Sequence, residues 1–409
     1  MNSVRGSVLL SFGERYLTLV LGLVSMVVIA RLLRPEEIGL FSVASAFVGM
    51  AQVVRDFGVG SYLIQESELT RDRIRSALGV TLVIGCSFFV IMGLLAPVIA
   101  DFYDEPRLVP LLRILAASFL AIPFGSTSLA ILRRNMAFRS VVIINIVSVL
   151  VSTIVSVGLA WSGVGPASLA WGMLAGVTTT AIAALILGSA ETRVAPGFRQ
   201  WRRVVHFGSR STATGIITEV AMNMNDLVVA RVMGFGPAAI LSRAQGVMNL
   251  FHREALGAVR SVAFPAFARV HRAGGDLEAA HVESLGGVTA AGWTFYGFVA
   301  IFPLEILRFL FGPQWDAAAP LVPIFSLAGA MAAVWSLVSS VLLATGRVDL
   351  NMRAELVVQP LRILLLIGVV LYLRNLAGYA WTFALVFGVC IPVLFWFKPC
   401  SKFMPKRLA

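Results

Sequence analysis

Apolar residues fill long, nearly unbroken runs along this chain, and the polar positions between the runs are few and mostly basic. A helix needs about 20 apolar residues to cross the hydrocarbon core of a bilayer. The pattern predicts twelve such helices: Val8–Ala30, Ile38–Val54, Ser76–Ala100, Leu108–Leu132, Val141–Trp161 and Ala167–Leu187, then Ser211–Met233, Ala238–Val259, Leu285–Phe311, Ala317–Leu343, Glu355–Leu373 and Ala377–Phe397. Two polar connectors interrupt them, a basic one from Glu191 to Arg210 and a mixed one from Arg269 to Glu283. Pro97, Pro123, Pro303, Pro323 and Pro392 fall within the runs, where each removes a backbone donor and can kink its helix. Glycines such as Gly22, Gly49, Gly172, Gly176 and Gly329 read as places of close helix packing.

One stretch breaks the apolar rule. Thr218–Ala244 carries Glu219, Asn223 and Asp226 at i, i+4 and i+7, which share one helix face. Acidic groups inside a membrane span are costly, and they usually face a bundle interior or a wet cavity. The same stretch echoes the chain 200 positions earlier: Ala30, Arg31, Ser42 and Ala44 match Ala230, Arg231, Ser242 and Ala244. Leu108-Val109-Pro110 recurs as Leu321-Val322-Pro323, Pro97 has a counterpart in Pro303, and Arg139 in Arg353. Six predicted spans separate equivalent points, so the two halves read as parallel repeats, a recurring design of secondary transporters. The expected organisation is a six-helix bundle at 1–190, a connector at 191–210, a second bundle at 211–397 and a basic tail at 398–409.

Composition agrees with the pattern. The chain is 58% hydrophobic and 13% charged, about half the charged share of soluble domains. Its net charge of +12 lies mainly in the connectors and tail, as positive-inside anchors, so no nucleic-acid partner is expected. The larger share of the 33 Lys and Arg residues falls on one side when both termini are placed in the cytoplasm. Cys86, Cys390 and Cys400 lack metal-ligand spacing, and His206, His252, His271 and His281 are scattered over expected loops and loop ends. No Gly-rich phosphate loop, metal cluster or nucleophile–base pair is present, so an enzyme is not expected.

The run Arg31-Leu-Leu-Arg-Pro-Glu-Glu-Ile-Gly-Leu-Phe-Ser42, followed by Arg55-Asp-Phe-Gly-Val-Gly60 and Leu63-Ile-Gln65, resembles the start of bacterial polysaccharide-lipid flippases. These are Wzx-type exporters of the MOP (MATE-like) superfamily. Asp226 to Ser242 looks like the second-half copy of that signature. The resemblance implies an all-α integral membrane protein of two pseudo-symmetric six-helix bundles in the bacterial cytoplasmic membrane. It implies alternating access and an isoprenoid-diphosphate-linked oligosaccharide as cargo, with the bilayer and polysaccharide polymerase and export machinery as partners. Many members have fourteen helices, whereas twelve and a basic tail are read here.

A lipid-diphosphate cargo calls for cavity cations, and arginine's planar fork suits a diphosphate. Relatives place such arginines on the first, second and eighth helices. The positions available are Arg15, Arg55, Arg243 and Arg253. Arg15 either lines the cavity or neutralises Glu14, and Arg55 either lines it or anchors a helix end beside Asp56. On the eighth helix Asn249, Arg253 and Arg260 lie near one face, with Arg260 expected to snorkel to water. The Gly-Phe-Gly-Pro turn at 234–237 brings Asp226 and Arg243 to similar depth, so they are expected to pair, as a fixed tie or as a switch. No cofactor is expected. Glu219 and Asp226 are candidates for coupling cargo movement to H+ or Na+, or Glu219 bonds a neighbouring Ser or Thr. The rival readings are a cation-coupled multidrug exporter of the same superfamily, which calls for a more acidic cavity, and a membrane glycosyltransferase or polymerase, which calls for acids in a large outer loop.

If Glu219 exchanges an ion, Glu219→Gln transports with its dependence on pH or on the ion gradient abolished. Normal transport by that variant under every gradient tested removes Glu219 from the coupling path.

Overall fold

The computed structural model describes residues 2–56, 59–66, 69–188, 194–201, 223–224 and 226–386, and among these there are helices and no strands. The chain divides into two compact units, Met1–Asn223 and Met224–Ala409. The first holds α1 (Asn2–Leu32), α2 (Pro35–Asp56), α3 (Val59–Gln65), α4 (Arg71–Tyr103), α5 (Leu108–Arg134), α6 (Phe138–Trp161) and α7 (Ala167–Leu187). In the second, α8 (residues 226–233) leads into α9 (Phe235–Asn249), a π-helical turn (Leu250–Ala255) and α10 (Leu256–Arg272). There follow α11 (Leu277–Ile301), α12 (Pro303–Leu310), a 3₁₀ segment (Pro313–Leu321), α13 (Val322–Ala333), α14 (Val338–Ala344), α15 (Val348–Leu373) and α16 (Leu376–Leu385). Among the described residues six helical segments are long and apolar enough to cross a membrane, namely α4, α5, α6, α7, α11 and the run Pro313–Ala344. This is a multi-pass membrane protein. Glu219, the basic tail and most of the 191–210 connector lie outside the described residues.

Within the first unit, small residues set the helix spacing. Gly172 and Gly176 of α7 form a G-x-x-x-G face beneath Ser148, Ser152 and Ser156 of α6. A methyl group on Gly172 would run into the Ser156 hydroxyl and come within 2.8 Å of the Ser152 carbonyl. The Thr180 hydroxyl completes the seam by donating to Ser148 Oγ at 2.8 Å. Lipid tails are as apolar as leucine, so close van der Waals contact and interhelical hydrogen bonds hold such a seam.

The turns of this unit are capped by charge. Pro35 opens α2, where its missing N–H costs nothing, and Glu37 Oε2 accepts from the Arg34 backbone N–H at 2.8 Å. The short α3, absent from the sequence expectation, ends in carbonyls that Arg134 satisfies: its guanidinium donates to the oxygens of Leu63, Ile64 and Glu66. Arg134 is therefore more than a membrane anchor. The described piece of the connector, residues 194–201, straps onto the start of α4. The Gly197 N–H donates to Arg75 O at 2.9 Å, Arg75 Nε donates to Ala195 O at 3.1 Å, and Arg199 pairs with Asp72 at 3.1 Å. Gly79 lets the strap lie this close, since any side chain there would strike the Gly197 carbonyl.

The second unit departs from the expected helices in three places. The polar stretch Arg269–Glu283 is helical except at residues 273–276. Gly274 makes the turn at φ +65°, and Asp276 caps α11 by accepting from the Ala279 N–H at 2.9 Å. His281, expected in a loop, is consequently buried, with its ring 5.9 Å from that of Phe267. The expected helix Leu285–Phe311 breaks at Phe302, because Pro303 has no N–H to continue the ladder. The expected helix Ala317–Leu343 begins as 3₁₀ and is interrupted at residues 334–337. There Arg260 Nε donates to the Ser336 carbonyl at 3.2 Å, so Arg260 serves a helix break. Pro323 sits in the first turn of α13, while Pro97 and Pro123 lie inside α4 and α5, and Pro392 is outside the described residues. The repeated Leu-Val-Pro runs both open helices, at Leu108 and at Val322.

Tyr296 ties this unit together. It is 1% exposed and donates to the Met248 carbonyl at 3.3 Å. Gly329 of α13 lies against the ring, and a Cβ there would overlap it. With no room for the ring to move, Gly329→Ala should cost about 1–3 kcal/mol. Gly93→Ala meets nothing within 4 Å and should be silent. Thermal melting of the two variants in detergent checks the contrast.

Candidate functional site

The site is built on the hairpin of α8 and α9. Gly234 makes the turn at φ +96°, a conformation that side-chain-bearing residues rarely adopt. Arg243 projects from α9 between two rings, with its guanidinium carbon 4.5 Å from the centroid of Phe311 and 4.6 Å from that of Trp315. Both rings are buried. Gly312, at φ +97°, turns the chain between them, and Arg308 clasps Asp316 through three hydrogen bonds of 2.7–3.1 Å.

Among the described residues no carboxylate pairs with Arg243, and its buried Nε has no hydrogen-bond partner. A cation stacked on rings gains about 0.5–2 kcal/mol. Taking that charge out of water costs several kcal/mol. The stacking orients the guanidinium plane and no carboxylate among the described residues neutralises it, which suits it to an incoming anion. Two phosphate oxygens match its planar fork.

The expected Asp226–Arg243 pair is not formed among the described residues. The turn at Gly234 is made as expected, but Asp226 and Arg243 have different surroundings. Asp226 instead lies within electrostatic reach of the Tyr379 hydroxyl on α16, which Arg362 of α15 also influences. That hydroxyl is buried and has no hydrogen-bond partner among the described residues. Arg243 faces α12 and the 3₁₀ segment. The polar centre therefore divides into an arginine held by aromatics and an Asp226–Tyr379–Arg362 group. Sequence reasoning missed Phe311, Trp315, Arg362 and Tyr379. An arginine two residues after Pro360 in an apolar run was the available signal for Arg362.

The remaining candidates are scattered. Arg55 is 4% exposed in the last turn of α2, and the side chain of Asp56, its expected partner as a helix-end anchor, is outside the described set. Asn223 is half-buried at the boundary between the two units. Asn249 closes α9 at the π turn, a distortion that often marks functional positions. Arg253 lies in that turn, but its side chain, like that of Arg15, is outside the described set. The ring of His252, in the same turn, is half-buried, and its Nδ1 has no partner among the described residues.

The fold is that of the MOP-superfamily transporters. The lipid II flippase MurJ in an inward closed conformation superposes with a TM-score of 0.73 at 15% identity, over 95% of this chain and 87% of that one. An inward-facing multidrug resistance MATE transporter gives 0.68 at 14% identity, over 92% and 93%. The chain belongs to the polysaccharide biosynthesis protein family, whose model matches residues 28–320. It is 26% identical over 341 residues to the lipopolysaccharide biosynthesis protein WzxC of Escherichia coli K12, spanning 81% of this chain and 68% of that protein. The teichuronic acid biosynthesis protein TuaB of Bacillus subtilis is 25% identical over 82% of this chain and 70% of its own length. This is a family of flippase transporters, not of catalysts.

Arg243→Met separates a structural arginine from a ligand-binding one. It keeps the apolar stem and removes a charge that no described carboxylate neutralises, so the melting temperature should hold or rise. Transport should fall about tenfold or more if the charge meets cargo. Melting in detergent and a flux assay on the same preparation read the two effects.

Proposed function

We propose that the protein flips an isoprenoid-diphosphate-linked oligosaccharide across the bacterial cytoplasmic membrane by alternating access, for surface polysaccharide synthesis. The observation that carries this reading is Arg243, a cation without a carboxylate partner among the described residues, stacked on Phe311 and Trp315 within an apolar unit. A diphosphate supplies a counter-charge while it passes, and with no carboxylate among the described residues holding Arg243 it can leave again. Arg55 is a further buried cation that supports the same chemistry in the first unit. Family membership and the likeness to WzxC and TuaB support a polysaccharide precursor as cargo.

Both termini are proposed to be cytoplasmic, which places the basic connector and tail inside. Coupling to H+ or Na+ is assigned to Asp226, because an intramembrane acid within electrostatic reach of the Tyr379 hydroxyl, and with no ion-pair partner among the described residues, can take up a proton or sodium. Polymerase and export machinery would receive the product. A multidrug exporter shares the fold, but an arginine that no described carboxylate neutralises repels the cationic drugs that such exporters carry.

Expression in bacteria lacking their own O-antigen flippase tests the reading. Surface polysaccharide should return with the wild type and fall strongly with Arg243→Ala or Asp226→Asn. Failure of the well-expressed wild type in several polysaccharide backgrounds would refute the proposed cargo class.

A further inference from the structure

The second unit contains an apolar groove of about 610 Å³, within the roughly 300–1,000 Å³ of ordinary ligand clefts. Four phenylalanines, Phe295, Phe298, Phe302 and Phe309, form much of its lining, together with Val247 and Leu310. Phe298 is 57% and Phe309 78% exposed, and α11 is a membrane-spanning helix, so the groove opens toward lipid. Water-soluble partners have no access to such a surface.

The groove adjoins the arginine of the candidate site. Val247 lies one helical turn beyond Arg243, at i+4, where side chains on one face are about 5–6 Å apart. Leu310 directly precedes Phe311, one of the two rings on which Arg243 is stacked. The groove and a cation without a carboxylate partner among the described residues thus share α9 and the end of α12. Glu305, the carboxylate in the lining, sits in the first turn of α12 within electrostatic reach of Arg308.

We infer that the groove of α9, α11 and α12 binds the hydrocarbon chain of an isoprenoid lipid whose phosphate meets Arg243. The inference rests on the proposed cargo class and names where the lipid tail of that cargo lies. An isoprenoid chain carries methyl branches and planar double bonds along its length. Aromatic edges and faces make closer contact with these than with a straight saturated chain. A second membrane helix is the other occupant such a groove could take, but it offers nothing to the Arg243 charge unless it brings an acid to that depth.

The test uses the full-length protein in nanodiscs of phosphatidylethanolamine and phosphatidylglycerol, with a polyprenyl diphosphate carrying a photoactivatable group in its chain. Labelled peptides are mapped by mass spectrometry. Label should concentrate on residues 247–250 and 295–310, and unlabelled polyprenyl diphosphate should compete about fivefold better than added phosphatidylglycerol. Phe298→Ala with Phe309→Ala should leave the melting temperature unchanged, because both side chains are exposed, and should lower groove labelling by about fivefold. Arg243→Met should remove the advantage of the diphosphate over phosphatidylglycerol. Equal competition by phosphatidylglycerol identifies ordinary bilayer lipid and overturns the inference. So does label spread evenly over the lipid-facing surface, or a groove found covered by a second copy of the chain. Wild type that restores surface polysaccharide without labelling the groove refutes the groove and leaves the transport reading standing. Groove labelling without restoration in any background upholds the groove and refutes that reading.

Discussion

Inside a bilayer, a carbonyl released from its helix has no water to turn to, and this constraint shapes most of what the chain does with its charges. Each interruption of a helix must be satisfied by the protein itself. Arg134 closes the carbonyls at the end of α3, and Arg260 reaches the carbonyl of Ser336 at the break before α14. Asp104 ends α4 in the left-handed conformation, so its own N–H can return to the Ala100 and Asp101 carbonyls. Breaks of this kind allow α12 and the 3₁₀ segment to fold back and present Phe311 and Trp315.

Arg243 stands apart from these. Arg134 and Arg260 are spent on backbone. Arg107 bridges Glu36 and Glu105, and its guanidinium holds the Glu105 carboxyl below the usual carboxylate range. Arg308 and Arg199 have acidic partners as well. Arg243 has aromatic rings, which orient a cation but do not cancel it. Close packing elsewhere keeps the surroundings firm: the glycine face of α7 under the serines of α6, and Gly329 under Tyr296. A rigid shell around a charge that no described carboxylate neutralises is the arrangement expected of a site prepared for an anion.

Much of this was legible in the residues. The apolar runs mark the spans because burial in lipid is a local property of about twenty consecutive side chains. The signature near Arg31 and its echo near Arg231 led to the correct family. Gly172, Gly176 and Gly329 are packing positions as the sequence reads, whereas Gly22 is not, since a Cβ there meets nothing within 4 Å. The interruption at 334–337 was not legible, because its compensating group, Arg260, lies far away in sequence. The polar look of Arg269–Glu283 misled in the other direction: a helix continues wherever its ends are capped, and Asp276 caps one there.

The sequence by itself determined the class, the order of the helices and the presence of charges within them. These follow from transfer energies and periodicities that neighbouring residues set together. Tertiary structure alone decided which charges meet. Asp226 and Arg243 stand on either side of the turn at Gly234, and their spacing can be counted along a chain. The surroundings of each cannot be counted in this way, because they are set by the elements packed against it. Packing puts Asp226 within electrostatic reach of Tyr379, and Arg243 between Phe311 and Trp315.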